Sequence, residues 1–271
     1  MLFKNIKPIT NSQRNLKLLD KSNLSKVKPL KSKTLGLSFS GGRNNLGRIT
    51  SFRKGGGHKR RYRKIDFIRK KLNGIVLSVE HDPNRSSFIA SVYDFQKKEA
   101  FYILAPQGLS VGDLIKSGHS AKIKIAHSLP LSEIPVGSFV HNICLETGKG
   151  GQLARAAGNF GQLIQKDFRF GRIRLRSGEQ RKVSLSCWAT FGILSNQYLK
   201  LVSLGKAGRS RWLKRRPSVR GVAMNPIDHP HGGGEGKTSG GRPSVTPWGK
   251  PARGRQTSNS KSKNILVSRK A

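Results

Sequence analysis

A glycine- and proline-rich stretch near the carboxyl end holds the residue types that metal binding or acid–base catalysis needs. Its carboxylates and imidazoles are Asp228, His229, His231 and Glu235. Histidine is the usual general base near neutral pH, and both side-chain types bind metals. The surrounding prolines and glycines favour extended backbone, so no helix or strand holds these groups in a fixed geometry. We therefore expect hydrogen bonding or stacking on a ligand ahead of catalysis or metal binding. The candidate contacts are Arg220, Asn225, His229 and His231.

A second kind of chemistry, phosphate binding, is indicated by residues 40–64. Glycines alternate there with basic residues and one tyrosine. Exposed backbone N–H groups, guanidinium forks and an aromatic ring suit irregular RNA. This segment lacks the Gly-Lys-Ser/Thr sequence of a nucleotide-hydrolysing loop, although generic basic tails have similar composition. The candidate contacts are Arg43, Asn44, Arg48, His58, Lys59, Arg60, Arg61, Tyr62 and Arg63.

A shorter segment of the same kind runs from Gly148 to Gly158. Its small residues permit close approach to a ligand backbone. Lys149, Gln152 and Arg155 supply the charged and polar groups. A tight loop in a barrel would need the same small residues, so that structural interpretation stays open beside RNA binding.

The charge balance indicates the class of partner. The 271 residues include 53 Lys plus Arg and 13 Asp plus Glu, a formal net charge of +40. That charge opposes a compact state unless a polyanion neutralises it, which favours nucleic acid, with an anionic membrane as second candidate. No apolar run approaches the ~18 residues of a transmembrane helix. The basic segments are too rich in glycine, proline and β-branched residues for an amphipathic surface helix. We expect no membrane partner.

The charge is concentrated at the two ends. The net charge is +19 over residues 1–71, −1 over 72–148, +8 over 149–204 and +14 over 205–271. Residues 1–59 and 205–271 lack a periodic apolar pattern, so alone they could not offset their ordering entropy. We expect them to be irregular basic extensions that become ordered by wrapping a partner.

The elements that must position these residues are short strands. They are expected at Ile75–Val79, Phe88–Tyr93, Phe101–Leu104 and Ile123–Ala126, then at Phe139–Leu145, Leu163–Ile164, Gly171–Arg176, Lys182–Ser186 and Thr190–Leu194. Turn residues separate them, and Pro130, Pro135 and Gly137 mark a seam between the two groups. The pattern predicts an all-β fold of two small barrels, because closing a sheet removes its exposed edges.

One hairpin can be predicted residue by residue. Ser177-Gly178 can form its tight turn. Alternation then directs Ile173 and Leu175 inward and three arginines outward. Those candidate phosphate contacts are Arg172, Arg174 and Arg176. A solvated face is the plain alternative, but the low acid count leaves these arginines few carboxylate partners.

Cysteine usage excludes two kinds of scaffold. Cys144 and Cys187 are the only cysteines and stand 43 residues apart. Neither a disulfide framework nor a zinc site is indicated, which fits a reducing compartment. We expect two structural thiols.

Taken together, these motifs resemble the universal large-subunit ribosomal protein two family in its bacterial and organellar form. The resemblance runs in order from about residue 41 to 255 and is most specific in the Asn-Pro and Asp-His-Pro-His-Gly-Gly-Gly-Glu-Gly block of Met224–Gly236. The other matching strings are Gly41–Asn45, Gly55–Lys59, Asp82–Ser86, Tyr102–Pro106, Pro135–Ser138 with His141-Asn142, Gly148–Ala157, Leu175–Glu179, Gly205–Gly208 and Thr246–Gly249. The matching strings add Arg85, Lys206 and Trp248 to the candidate RNA contacts.

The resemblance implies four parts. These are a basic N-terminal extension over 1–59, an oligonucleotide-binding-like barrel over 60–128, an SH3-like barrel over 129–202 and a glycine-rich basic C-terminal extension over 203–271. It also implies a structural constituent of the large subunit that binds ribosomal RNA near the peptidyl-transferase region and supports assembly and subunit association. His229 aligns with the family histidine discussed in peptidyl transfer. Because RNA performs that reaction in the family, we expect no enzyme activity and a structural RNA contact.

The partners implied are large-subunit ribosomal RNA, neighbouring ribosomal proteins and the small subunit at the interface, with one monomer per ribosome. No cofactor or protein metal site is expected, and Mg²⁺ enters only as a counterion of RNA. The first residues occupy the place of the ordinary family N-terminus, so we expect no separate transit peptide. The Lys, Asn, Ser, Ile and Phe bias favours an organelle, mitochondrion before plastid, with the bacterial cytoplasm as alternative.

Two rival functions remain at this stage. A generic nucleic-acid packaging protein would explain the charge but not the near-neutral middle, and it would bind random RNA equally well. A metal-assisted hydrolase would use the carboxylate and histidine block. It would turn over labelled RNA with divalent metal and lose that turnover in His229→Ala.

Overall fold

The computed structural model of the chain describes residues 3–119, 121–236, 238–253 and 264–267. These residues divide into two compact units. The first unit comprises 3–37, 59–119, 121–205 and 264–267, and the second comprises 38–58, 206–236 and 238–253. The second unit therefore combines a segment from the amino-terminal part of the chain with segments from the carboxyl-terminal part. The domain boundaries expected after residues 59, 128 and 202 stay predictions.

Strands are the main regular structure of the described residues. The two α-helices are α1 (Asn11–Arg14) and α2 (Ala207–Trp212), and 3₁₀ turns lie at Lys31–Lys33, Gln197–Leu201 and Gly221–Ala223. The strands are β1 (Leu16–Lys17), β2 (Thr34–Gly36), β3 (Arg61–Arg63), β4 (Leu72–Glu80), β5 (Ile89–Asp94), β6 (Glu99–Leu104), β7 (Leu114–Ser117), β8 (Ser128–Pro130), β9 (Phe139–His141), β10 (Gly161–Lys166), β11 (Phe170–Leu175), β12 (Gln180–Ser184), β13 (Trp188–Phe191), β14 (Ser203–Leu204) and β15 (Ile265–Val267). The expected all-β class is confirmed. Among the described residues, no helix is long and apolar enough to cross a bilayer.

Eleven of these strands form one sheet in the order β15-β12-β11-β10-β9-β13-β8-β7-β4-β5-β6. Its neighbours are antiparallel except for β7 and β8, which meet in a single parallel pair, Ser117 with Ser128. That short junction divides the sheet into one group of β4–β7 and another of β8–β13 with β15. The first unit also holds the small pairs β1–β14 and β2–β3.

Each group of strands surrounds its own apolar core. The core of the first group includes Leu72, Val76, Val92, Ile103 and Ile115. The core of the second includes Leu129, Ile134, Val140, Leu163 and Ile173. The nine-residue strand β4 alternates buried and less buried positions, as a half-buried strand does. Two separate cores fit the expectation of two small barrels in sequence, but the described strands follow one linear order in which no closed barrel is detected.

The predicted hairpin is confirmed in register and direction. Strands β11 and β12 pair Arg174 with Gln180, and Gly178 in the turn has φ +87°. Ile173 is fully buried and Leu175 half-buried, while Arg174 is exposed.

The strand expected at 123–126 is wrong. Ala126 has φ +70°, and the N–H of His127 donates to the Lys124 carbonyl, so the chain turns where the alternating pattern suggested extension. Ile123 and Ile125 are exposed there. Strands form instead on either side, at β7 and β8, where Pro130 ends a strand that pairs with β13.

The second unit differs in composition and burial. Its described residues carry 14 Lys and Arg against Asp228 and Glu235. None of the apolar side chains described in this unit is buried. His229 is the single buried residue among all the residues described in the unit. For residues 38–58, 206–236 and 238–253, this agrees with the expectation that the basic ends cannot build an apolar core, whereas residues 3–37 belong to the first unit and form α1, β1 and β2 there.

Candidate nucleic-acid interface

The loop from Gly148 to Gly158 combines tight packing with exposed polar groups. A Cβ on the buried Gly151 would lie 2.2 Å from the Asn142 side-chain oxygen. The Gly151 N–H and the Asn142 side-chain amide both donate to the Phe67 carbonyl, at 3.0 and 3.1 Å. Gln152 and Arg155 remain exposed on the same loop. The structural interpretation therefore holds for Gly151, and the loop still presents a cation and an amide to solvent.

Arg155 lies on an aromatic ring that the sequence analysis did not single out. Its guanidinium carbon is 4.7 Å from the centroid of Phe67. Arg85 lies 5.1 Å from the centroid of Tyr62 and donates to the Tyr62 hydroxyl at 3.1 Å. Guanidinium planes held over rings are pre-organised for stacking or phosphate contact. Phe67 and Arg155 are 88 positions apart, so no local pattern predicts this pair.

Arg63 and Arg85 share a buried carboxylate. The Asp82 side chain is fully buried, pairs with Arg85 and lies 3.6 Å from an Arg63 nitrogen. The two guanidinium groups are largely enclosed as a result. The ion pair with Asp82 fixes Arg85 against Tyr62. Arg63 and Arg85 therefore stabilise the local packing and are largely shielded from solvent.

Lys149 has a local acidic partner. Its ammonium lies 2.6 Å from the Glu146 carboxylate, and both side chains are exposed. The hydrogen bond and charge of Glu146 raise the pKa of Lys149 above its ordinary value. Because exposed pairs contribute little, this contact does not prevent Lys149 from meeting a phosphate.

The three arginines near the β11–β12 hairpin bind neutral acceptors. Arg172 donates to the Gln180 side chain at 2.6 Å, and Arg174 donates to that of Gln162 at 2.6 Å. Arg176 donates to the Gly158 carbonyl at 2.7 Å. These contacts hold the guanidinium groups without neutralising their charge.

The second unit joins segments from opposite ends of the chain by backbone pairing. Lys54 forms an antiparallel bridge with Arg215, and the Arg216 N–H donates to the Arg53 carbonyl at 3.1 Å. Gly57 permits this approach, because a Cβ there would lie 2.6 Å from the Trp212 carbonyl oxygen. The run from Arg209 to Arg216 was missed in the sequence analysis, although its density of basic residues is a readable signal.

His229 and His231 are held by backbone contacts. The His231 N–H donates to His229 Nδ1 at 3.0 Å, and the Val245 N–H donates to His231 Nε2 at 3.0 Å. The two rings stack, with centroids 5.1 Å apart and planes 25° apart. A Cβ on Gly221 would lie 2.5 Å from the His229 ring. Both imidazoles therefore organise the loop by accepting backbone N–H groups.

Asn44 is also a turn-forming residue. Its side-chain oxygen accepts the N–H groups of Leu46 and Arg48, both at 3.0 Å. The loop it closes leaves Arg43 and Arg48 exposed.

Exposed aromatic rings accompany the cations of this unit. Trp248 lies 6.2 Å from Phe52, between ring centroids. The ammonium of Lys206 lies 5.1 Å from the Trp212 centroid, and His58 contacts the same indole at 6.1 Å. Interleaved rings and cations are typical of single-stranded nucleic-acid sites.

The structure thus divides the candidate contacts between the units. The first holds Lys59, Arg60, Arg61, Tyr62, Arg63, Arg85, Lys149, Gln152, Arg155, Arg172, Arg174 and Arg176. The second holds Arg43, Asn44, Arg48, His58, Lys206, Arg220, Asn225, His229, His231 and Trp248. Most are exposed or half-buried, and their role as RNA contacts stays a prediction.

Two other observations concern metal binding and thiol chemistry. Within the described ranges, no three His, Cys, Asp or Glu side chains group in a way that could hold a metal ion. Cys144 and Cys187 are both buried and free. Burial and the neighbouring Cys144 raise the pKa of Cys187 to about 12, so that thiol stays protonated.

Comparison with known proteins gives two domain matches and full-length relatives. Residues 31–117 match the RNA-binding N-terminal domain of Ribosomal Proteins L2, and residues 124–249 match the C-terminal domain of Ribosomal Proteins L2. The chain is 56% identical to the large ribosomal subunit protein uL2 of Rickettsia typhi and to that of Rickettsia rickettsii, and 55% identical to that of Rickettsia akari. Each alignment covers 100% of both chains.

Proposed function

Because the chain belongs to the ribosomal protein L2 family, we propose that it is a structural constituent of the large ribosomal subunit that binds ribosomal RNA. One observation carries the proposal. The described residues of the second unit combine 14 basic and 2 acidic side chains with no buried apolar side chain. A segment of that kind gains little from its own packing and much from a surrounding polyanion.

The finer assignment is a location near the peptidyl-transferase region, with support of assembly and of contact with the small subunit. The specific Met224–Gly236 block, with its two backbone-bonded histidines, supports this location by family resemblance. Neighbouring ribosomal proteins complete the expected partners, and one copy is expected per ribosome.

The function proposed is not enzymatic. His229 and His231 use their ring nitrogens to accept backbone N–H groups, which gives them a structural task. No resident cofactor is proposed, and Mg²⁺ enters as a counterion of the RNA.

The compartment follows from the type of ribosome. The three relatives named above are bacterial, so a ribosome of bacterial type is the host we propose. Composition favours such a ribosome inside a mitochondrion, with the bacterial cytoplasm as the alternative.

Equilibrium binding tests this function. The full chain is titrated against transcribed bacterial-type large-subunit ribosomal RNA and an unrelated RNA of equal length. We expect preference for the ribosomal RNA and an affinity that falls steeply with salt, since each neutralised phosphate releases counterions. Equal affinity for both RNAs at physiological salt would favour a packaging protein instead.

A further inference from the structure

A cavity of about 450 Å³ lies within the second unit, and its lining includes the candidate RNA contacts Arg43 and His229. It falls in the size range of small-molecule sites, about 300–1,000 Å³. Its apolar walls include Ile49, Phe52, Val219 and Met224. Phe52 is 58% exposed and Val219 64% exposed, so their apolar surface is available to an occupant.

Cations surround these apolar walls. Four basic residues line the same cavity: Arg43, Arg53, Lys54 and Arg216. No Asp or Glu is among the described residues that line it. A ligand with flat apolar faces and an attached anion satisfies both features, because rings stack on Phe52 while guanidinium groups bind phosphate.

The backbone around the cavity is fixed by close contacts. A Cβ on Gly42 would lie 2.1 Å from the Ser51 carbonyl oxygen, and the Thr50 N–H donates to the Gly42 carbonyl at 3.0 Å. A hydrogen bond from the Arg216 N–H to the Arg53 carbonyl joins the two chain segments that line the cavity. The walls are therefore built by backbone pairing and do not depend on an apolar core.

We propose that this cavity receives one unstacked nucleobase of the bound RNA, with Phe52 as its stacking surface and the surrounding cations on its phosphates. The inference rests on the proposed RNA-binding function and assigns a specific site within it. Charge complementarity decides the occupant, since an apolar peptide would leave four cations without partners. An acidic peptide of a neighbouring protein is the alternative that the experiment must exclude.

Photo-crosslinking of the full chain bound to transcribed large-subunit ribosomal RNA tests the site. After nuclease and protease digestion, mass spectrometry should find a nucleotide adduct on the peptide that contains Phe52 or on the one that contains Met224. The variant Val219→Trp fills the cavity without changing charge. It should abolish the adduct and weaken RNA binding at least about fivefold, as loss of one stacked base would.

Ile227→Trp is the matched control, because Ile227 is a 93% exposed β-branched residue of the same unit outside the cavity lining. Its affinity should stay within about twofold of the parent chain. If Val219→Trp keeps both the adduct and the parent affinity, the cavity holds no base, and the general RNA-binding function still stands. If the parent chain binds the RNA without any adduct on these peptides, the proposal fails in the same way.

Two further arms distinguish other occupants. An excess of adenosine monophosphate should not displace the RNA, because the other contacts of the RNA keep its base at a high effective concentration beside the cavity. Full competition by the mononucleotide would mean a free-nucleotide site. A poly-glutamate peptide that binds the parent chain but not Val219→Trp, with RNA affinity equal in both, would assign the cavity to an acidic peptide. Failure of the parent chain to bind ribosomal RNA at all would remove both the site and the proposed function.

Discussion

At the scale of single residues, one loop separates structural from binding roles within five positions. Gly151 is buried against Asn142, where any side chain would collide with the amide oxygen. Arg155 is exposed and held over Phe67. The sequence predicted both a tight loop and a cationic contact here, and each interpretation applies to a different residue. The contact between Phe67 and Arg155 could not be predicted, because the two residues are distant along the chain.

Arg155→Ala should weaken RNA binding and reduce the salt dependence, leaving the fold unchanged. One lost phosphate contact lowers the slope of log affinity against log salt by about 0.7 to 0.9. Titrations at several salt concentrations measure this slope. Lys97→Ala, at an exposed cation in the near-neutral part of the chain, is the control and should leave the slope unchanged. If Arg155→Ala unfolds the first unit, the residue is structural.

Gly151→Ala should destabilise the first unit by about 1–3 kcal/mol, since overpacking displaces neighbouring groups. Thermal unfolding of the full chain measures the effect. Gly36→Ala is the control, because its Cβ would meet nothing within 4 Å and its φ is not positive. Equal unfolding temperatures for the two variants would argue against a rigid Asn142 contact.

At the scale of elements, a buried basic pair lies beside the junction of the two strand groups. Arg69 is buried and donates to the Ala126 carbonyl at 2.8 Å. His141, in β9, donates from Nδ1 to the Gly192 carbonyl at 2.8 Å. Burial, with Arg69 nearby, lowers the pKa of His141 to about 4. Neutral His141 is therefore part of the folded state.

The pH dependence follows from that shift. The unfolded chain binds a proton on His141 near pH 6.5, whereas the folded chain binds it only near pH 4. The contribution of His141 to the free energy of unfolding is complete above the unfolded pKa of 6.5 and is lost as the pH falls towards the folded pKa of about 4. At about pH 4.5 the loss is about 2.5 kcal/mol. The free energy of unfolding, measured between pH 7 and about pH 4.5 with enough salt to screen surface charges, gives the size of the loss.

His141→Asn replaces the imidazole N–H donor with an amide N–H donor, which cannot titrate. Its unfolding free energy should fall less between pH 7 and about pH 4.5 than that of the parent chain. His81, whose pKa burial also lowers, contributes equally to both proteins. Parallel pH profiles for parent and variant would show that His141 is not the responsible group.

Alternating apolar patterns predicted most strands of the sheet, including the β11–β12 hairpin with its turn. They failed at residues 123–126, where a left-handed Ala126 overrides the pattern, and at β7 and β8, which are short and offer no periodicity. The β15 edge strand and the Lys54–Arg215 bridge join segments distant along the chain. Local sequence patterns contain no information on such pairings.

At the scale of the whole molecule, burial and charge are separated. The apolar cores lie between Leu72 and Ala189. The net charge of +40 lies mainly in the segments before and after them. This separation explains how a strongly cationic chain keeps stable β domains, because the apolar cores form where the net charge is lower.

Removing residues 205–271 should leave residues 60–202 folded but impair stable incorporation into the large subunit. Both cores lie outside the removed segment, although β12 loses its three-residue partner β15. Circular dichroism checks the fold, and subunit purification from cells checks incorporation. A truncated chain that incorporates as well as the full chain would contradict the anchoring role.

Sedimentation of the tagged full chain from its own cell lysate, through a sucrose gradient after a high-salt wash, shows whether the chain is an integral part of the large subunit. An integral constituent of the large subunit should remain in the large-subunit peak at about one copy per subunit, because contacts to a specific RNA fold persist when salt weakens the purely charge-driven ones. Release of the chain into the light fractions would mean peripheral, charge-driven binding and would contradict the account.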